Sequence, residues 1–138
     1  MQGVLLTPLR RIPTGGGDVR HAMQAGAPGF TGFGEAYFSS VDKGAVKGWK
    51  RHSRMTLNLV VPVGAVRFVV VDEARGERFD TLLSPDPPER YGRLTVSPGL
   101  WMAFGGMGEG LNLLLNLADI LHDPAEAESR DLDAFAWS

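Results

Sequence analysis

The stretch Lys47-Gly48-Trp49-Lys50-Arg51-His52, with Arg54 two residues on, places an imidazole among four cations, Lys47, Lys50, Arg51 and Arg54, in a chain whose formal net charge is −2. In an extended backbone, residues two apart share a face. Lys50 and His52 therefore project together, and Lys47, Trp49 and Arg51 form the alternate set. One face of this strand therefore carries a cation beside an imidazole. The same cations form a seat for an anion such as a diphosphate, which needs local positive charge and directed donors. Further along, Ser97-Pro98-Gly99-Leu100-Trp101-Met102-Ala103-Phe104 supplies Trp101 and Phe104, which with Trp49 offer flat faces to a base or sugar or, equally, fill a core. The plain alternative for the basic run is a solvated edge that guards a strand against aggregation.

The elements that must hold these residues are short. Eighteen glycines and nine prolines in 138 residues punctuate brief apolar runs, the pattern of many strands joined by turns. Strands are expected at 35–41, 45–52, 57–63, 66–72, 78–83, 93–96, 100–105 and 111–117. Pro62-Val63-Gly64 reads as a turn between two buried strands. The Leu111–Leu117 run suits helix or strand, and Gly105, Gly106, Gly108 and Gly110 before it favour a hairpin. Asp123 can cap a short helix with Pro124 at its first position. Eight strands predict an all-β sandwich or jelly roll with a short C-terminal helical segment. The length suits one domain over 1–138, with 1–29 an arm or leading strand, 30–118 the barrel and 119–138 a C-terminal segment.

Several function classes are disfavoured. With no cysteine, disulfides, thiolate metal sites and a Cys nucleophile are excluded, and a cytoplasmic location is the expectation. The N-terminal apolar run is too short for a signal peptide, and no run approaches membrane-spanning length. The weak net charge gives no general attraction to nucleic acid or membrane. Gly15-Gly16-Gly17 lacks the Lys-Ser/Thr of a phosphate loop, and Gly105 to Gly110 opens no helix after a strand.

In order and spacing, Gly32-Phe33-Gly34-Glu35-Ala36-Tyr37, Val46-Lys47-Gly48-Trp49-Lys50, the 57–64 strand and turn, Arg93-Leu94-Thr95-Val96-Ser97-Pro98-Gly99-Leu100-Trp101 and 119–128 resemble the dTDP-4-dehydrorhamnose 3,5-epimerase family of metal-free cupins. The resemblance covers about residues 30–133 and points to the divergent epimerase-like branch. It implies a cupin jelly-roll barrel, a homodimer formed by strand exchange and a nucleotide-linked 4-keto sugar, such as a dTDP-sugar, as ligand. A metal-binding cupin would want ligands where this chain has Lys50, His52, Thr56 or Leu57, and Met102; one ligand in that set does not hold a transition metal. No cofactor and no metal are expected.

The family's base histidine falls on Lys50, and its phosphate-binding arginine on Lys47. His52, on the same face as Lys50, is the candidate to take over as base. The family's acid tyrosine should follow Asp119, where this chain has Ile120 and Leu121. Tyr37 and Tyr91 are the remaining phenols. Asp119, Asp131 or Asp133 is expected to orient His52. Glu35, whose family counterpart reaches the nucleotide or the subunit interface, joins Lys47, Trp49, Arg51, Asn58 and Trp101 as the substrate-binding set. The expected activity is epimerisation or isomerisation of a nucleotide-linked 4-keto-6-deoxy sugar, in deoxysugar or surface-polysaccharide synthesis; the alternative is a catalytically inactive sugar-nucleotide or small-ligand binding cupin.

Overall fold

A computed structural model describes residues 1–138. Its strands are β1 (Val4–Pro8), β2 (Arg11–Thr14), β3 (Gly17–Arg20), β4 (Glu35–Ser40), β5 (Val46–His52) and β6 (Leu57–Val63). They continue with β7 (Val66–Asp72), β8 (Glu77–Leu83), β9 (Gly92–Val96), β10 (Trp101–Gly106), β11 (Leu113–Ala118) and β12 (Ala127–Ser129). Two five-stranded antiparallel sheets face one another, in the orders β1-β9-β6-β11-β4 and β12-β5-β10-β7-β8, and β2-β3 is a separate hairpin. From β4 to β7 and from β8 to β12 the chain alternates between the two sheets, so most hydrogen-bonded neighbours are distant in sequence. This is a jelly-roll-like sandwich of the cupin kind; hydrogen bonding does not close it into a continuous barrel.

The core forms where alternate side chains of both sheets meet. Leu57, Leu59 and Val61 of β6, Leu94 and Val96 of β9 and Leu114 of β11 oppose Val66, Phe68 and Val70 of β7 and Met102 of β10. Burial of each such aliphatic or aromatic side chain contributes ~1.5–3 kcal/mol. A second apolar cluster, Trp49, Val69, Trp101 and Ala103, takes the alternate positions of β5, β7 and β10 and is covered by Phe135 and Trp137. That sheet is therefore apolar on both faces, because the C-terminal segment lies across its outside.

The eight expected strands are all present, with ends displaced by no more than two residues. The leucine run forms a strand because the Asn112 side chain ties its entry: Oδ1 accepts from Ala65 N and Gly108 N at 3.0 Å each, and Nδ2 donates to Val41 O and Gly108 O. Residues 1–29, expected as an arm or leading strand, supply β1 at the edge of the first sheet and the β2-β3 hairpin. The C-terminal segment holds two 3-10 turns with β12 between them, and Asp123 caps the first by accepting from Ala125 N at 3.0 Å. No helix is long and apolar enough to cross a membrane.

Candidate active site

Between the sheets lies a pocket of about 590 Å³. β4 contributes Glu35, Tyr37 and Ser39 on its inward alternation, and β11 contributes Leu114 and Asn116. Across from them stand Lys47, Lys50 and His52 of β5 and Met102 and Phe104 of β10, with His122 on the loop after β11. Ionisable and hydrogen-bonding groups thus occur on both walls, above an apolar floor that includes Met55, Leu57 and Leu59.

Strict alternation would put Lys47 with Trp49 on the outside; the structure turns it inward. Met102 pairs with Lys50 and Phe104 with Lys47, so three steps on β5 match two on β10. This β-bulge adds one residue to β5 and brings Lys47 to the side of Lys50 and His52. Gly48 makes the bulge possible: its φ is +149°, and a Cβ there would lie 2.5 Å from the Ala103 Cβ. Lys47 Nζ donates to Ser40 O at 2.6 Å, whereas Lys50 has no hydrogen-bond or ion-pair partner.

His52 is held by a residue that the sequence reading did not single out. Its Nδ1 hydrogen-bonds Glu126 Oε1, and Glu126 is 5 % exposed. Glu126 Oε2 accepts three backbone N–H bonds, from Ser53 at 3.1 Å, Arg54 at 3.1 Å and Met55 at 3.2 Å. Burial alone would raise the Glu126 carboxyl pKa. Hydrogen bonds from His52 and from the Arg54 and Met55 amides, with the attraction of His52, outweigh burial and hold it below the ordinary value. An ionised carboxylate only accepts, so Nδ1 carries the proton and Nε2 is left as the ring nitrogen available to the pocket. The signal for Glu126 was its place in a capped Asp-Pro turn just before a segment that pairs with β5, Ala127 opposite His52.

Tyr37, unplaced by sequence reasoning, stands on the facing sheet. It pairs with Asn116 across β4 and β11, and Asn116 Nδ2 donates to its hydroxyl at 2.8 Å. With one lone pair of the phenol occupied by that N–H, its own O–H is free to donate to a ligand. Tyr91 is elsewhere: its hydroxyl donates to His21 O at 2.7 Å, and burial pushes its pKa up.

The other expected site residues, Trp49 excepted, lie apart from the pocket. Asp119 clamps loops, with Oδ1 accepting from Thr56 N at 2.8 Å and Oδ2 from Thr31 Oγ1 at 2.9 Å. Asp131 and Asp133 are exposed at the last 3-10 turn, so Glu126, not an aspartate, orients His52. Asn58 faces outward from β6, fully buried against Gly29 O, Arg93 and Thr95. Trp101 lies on the outer face. Trp49 borders the pocket, but its indole is turned outward, donating to Leu132 O at 3.1 Å and packing edge-on against Phe135 at 5.2 Å. Arg51 lies over the Trp101 ring at 4.8 Å and pairs with Glu128, and Arg54 pairs with Asp123. Of the expected sites, Glu35, Lys47, Lys50 and His52 come together in the pocket. The anion seat reduces from four cations to Lys47 and Lys50, and no aromatic ring of the outer cluster is free to stack on a ligand. No group of three or more His, Cys, Asp or Glu side chains is arranged to hold a metal ion.

A cupin-like sandwich with a carboxylate-held histidine beside its internal pocket has the groups that acid–base chemistry needs. The solved structures give the family. A dTDP sugar isomerase from Desulfovibrio desulfuricans G20 matches with a TM-score of 0.91 and 37 % identity, over 99 % of this chain and 91 % of that one. The chain belongs to the family of this dTDP sugar isomerase, in keeping with the sugar-nucleotide epimerase family that its motifs resemble. More distant structures share the fold. The 3,4-ketoisomerase QdtA from Thermoanaerobacterium thermosaccharolyticum, in complex with TDP-4-keto-6-deoxyglucose, matches at TM-score 0.78 and 21 % identity, over 96 % of this chain and 91 % of that one. RmlC, the dTDP-6-deoxy-D-glucose-3,5-epimerase from Legionella pneumophila Philadelphia 1, matches at TM-score 0.78 and 17 % identity, over 96 % and 74 %. No family model matches the chain, and no curated protein does.

Proposed function

We propose that this protein is an epimerase or isomerase of a nucleotide-linked 4-keto-6-deoxy sugar, with a dTDP-sugar as substrate, in deoxysugar or surface-polysaccharide biosynthesis. The observation that carries this reading is the buried Glu126 holding His52 Nδ1 so that Nε2 is left for the pocket. His52 Nε2 takes the proton from the carbon next to the ketone, and the C–H electrons move into an enolate. Lys50, unpaired and two residues away on the same wall, stabilises the enolate oxygen or the diphosphate. Tyr37, on the facing sheet, donates a proton from the other side, which inverts the carbon. Return of a proton to the old carbonyl carbon instead moves the ketone. Lys47 and Glu35 line the same pocket and complete the set of binding groups. The protein acts as a homodimer in the cytoplasm. Support for a second copy comes from β4, an edge strand with the exposed rings of Phe33 and Phe38 beside it.

The test is incubation with dTDP-4-keto-6-deoxyglucose in deuterium oxide, followed by NMR of the sugar. Deuterium is expected at C3 or C5 if the reaction is epimerisation, and at C4, the old carbonyl carbon, if it is ketone transfer. Binding without any label would overturn the enzyme reading and leave a sugar-nucleotide binder. Sedimentation velocity tests the dimer, a single monomeric species being the contrary result.

A further inference from the structure

The outer face of the first sheet holds a cation that the chain does not neutralise. Arg93 of β9 is 2 % exposed. Its Nε donates to Asn58 Oδ1 at 3.2 Å, Nη1 to Ala22 O at 2.8 Å and Nη2 to Pro28 O at 2.5 Å. A guanidinium has five N–H donors, so two remain without an acceptor. Burial, which lowers its pKa, is the sole cause of the shift, and no carboxylate attraction offsets it. An unpaired buried charge is among the most expensive features a fold can carry. Neighbouring arginines differ: Arg11 pairs with Asp18 and Asp86, and Arg20 with Asp18.

Arg93 opens onto a cavity of about 190 Å³ whose polar lining is Thr7, Arg10, His21 and Gln24. No Asp or Glu lines it. The rest of the wall includes Leu9, Met23 and Ala27. Thr7 Oγ1 is buried there with no hydrogen-bond partner, and Arg10 makes no ion pair. Asn58, which braces Arg93, faces away from the catalytic pocket, whereas its strand neighbours Leu57 and Leu59 line that pocket. The two cavities therefore lie on opposite faces of one sheet.

We propose that this second cavity binds a small oxyanion, a phosphate or a short organic carboxylate. The anion neutralises Arg93, accepts from its spare N–H groups and from the Thr7 hydroxyl, and is closed in by Arg10 and His21. The cavity volume suits a group of that size, and its apolar wall accommodates the short chain of an organic acid.

His21 reports on this cavity, and the only other histidines, His52 and His122, report on the catalytic pocket. Full-length protein carrying ¹³C-labelled histidine is titrated at constant ionic strength with orthophosphate and, separately, with propionate. The His21 imidazole signal is expected to shift and saturate with at least one of them. Arg10→Ala, at the exposed rim, is expected to weaken that binding about tenfold, the effect of one charge-assisted hydrogen bond. Arg93→Met removes a latch on Ala22 and Pro28 and risks the fold, so the rim variant is the informative one. Tighter binding of propionate identifies an organic acid as the ligand, and tighter orthophosphate identifies a phosphoryl group. A His21 signal that never saturates, or an unchanged affinity in Arg10→Ala, would overturn the proposal.

Discussion

The two faces of β5 carry similar residues in opposite circumstances. Inward, Lys50 has no partner and His52 is held by one buried carboxylate, both beside an open cavity. Outward, Arg51 is paired with Glu128 and lies over the Trp101 ring, and Arg130 covers the same ring at 4.3 Å while pairing with Glu73. Cations on the outer face are satisfied by acids and aromatic rings; the inner Lys50 has no such partner. Charge and aromatic content do not separate the two faces. What separates them is whether each charge already has a partner.

Exchanging or removing residues on each face should therefore affect different properties. The largest effect is expected on the inner face: His52→Ala should lower turnover of a 4-keto sugar nucleotide by about 10²–10⁴-fold, the usual worth of a positioned base, with binding retained. Glu126→Gln keeps the side-chain shape and loses the carboxylate. It is expected to lower kcat by about 10–100-fold with little change in KM, because it acts through the orientation of His52.

The same variant has a readable effect on stability. The Glu126 carboxyl lies below its ordinary value of 4.5 in the folded protein, so its contribution is fully present above about pH 4.5 and is lost as pH falls through the folded value. Wild type should lose stability through this acid range, and Glu126→Gln should show a flatter curve there in thermal melts. A slope identical to that of wild type would separate Glu126 from acid stability.

Tyr37→Phe removes the donor on the facing sheet while leaving the ring. Release of tritium or deuterium from the substrate carbon should continue, and formation of the inverted product should fall by about 10²-fold. Equal loss of both would place Tyr37 in binding rather than in second-face protonation. The smallest effect belongs to the outer face. Arg51→Met should leave kcat unchanged and lower the melting temperature by ~3 °C, as expected for one cation–π contact and one exposed ion pair. A large fall in kcat would erase the distinction between the faces.

The strands were legible because apolar runs between Gly and Pro are a local property, and eight were found within two residues of their ends. β1 was anticipated only as a leading strand without bounds, and β2, β3 and β12 were not anticipated, because these short segments are defined by their pairing with β9, with each other and with β5. Lys50 and His52 were legible as one face because alternation holds locally, and Glu35 and Lys47 through the family resemblance; alternation alone puts Lys47 on the outer face, and one bulge residue reverses it. Trp49, Trp101, Arg51 and Asn58 were assigned to the substrate by residue type, yet their partners are Phe135, Glu128 and the 22–29 segment brought back over the sheets. Glu126 escaped for the same reason: 74 residues separate it from His52, and tertiary contacts, the β12-β5 pairing and the amides of residues 53–55, join them.

The central claim is that His52, rather than the cation in the family's usual base position, removes the proton. Solvent deuterium entry at the carbon next to the ketone, followed by NMR in wild type, His52→Ala and Lys50→Ala with dTDP-4-keto-6-deoxyglucose, addresses it directly. Exchange is expected to vanish in His52→Ala and to persist, slowed, in Lys50→Ala. Exchange that survives in His52→Ala and disappears in Lys50→Ala would contradict the account.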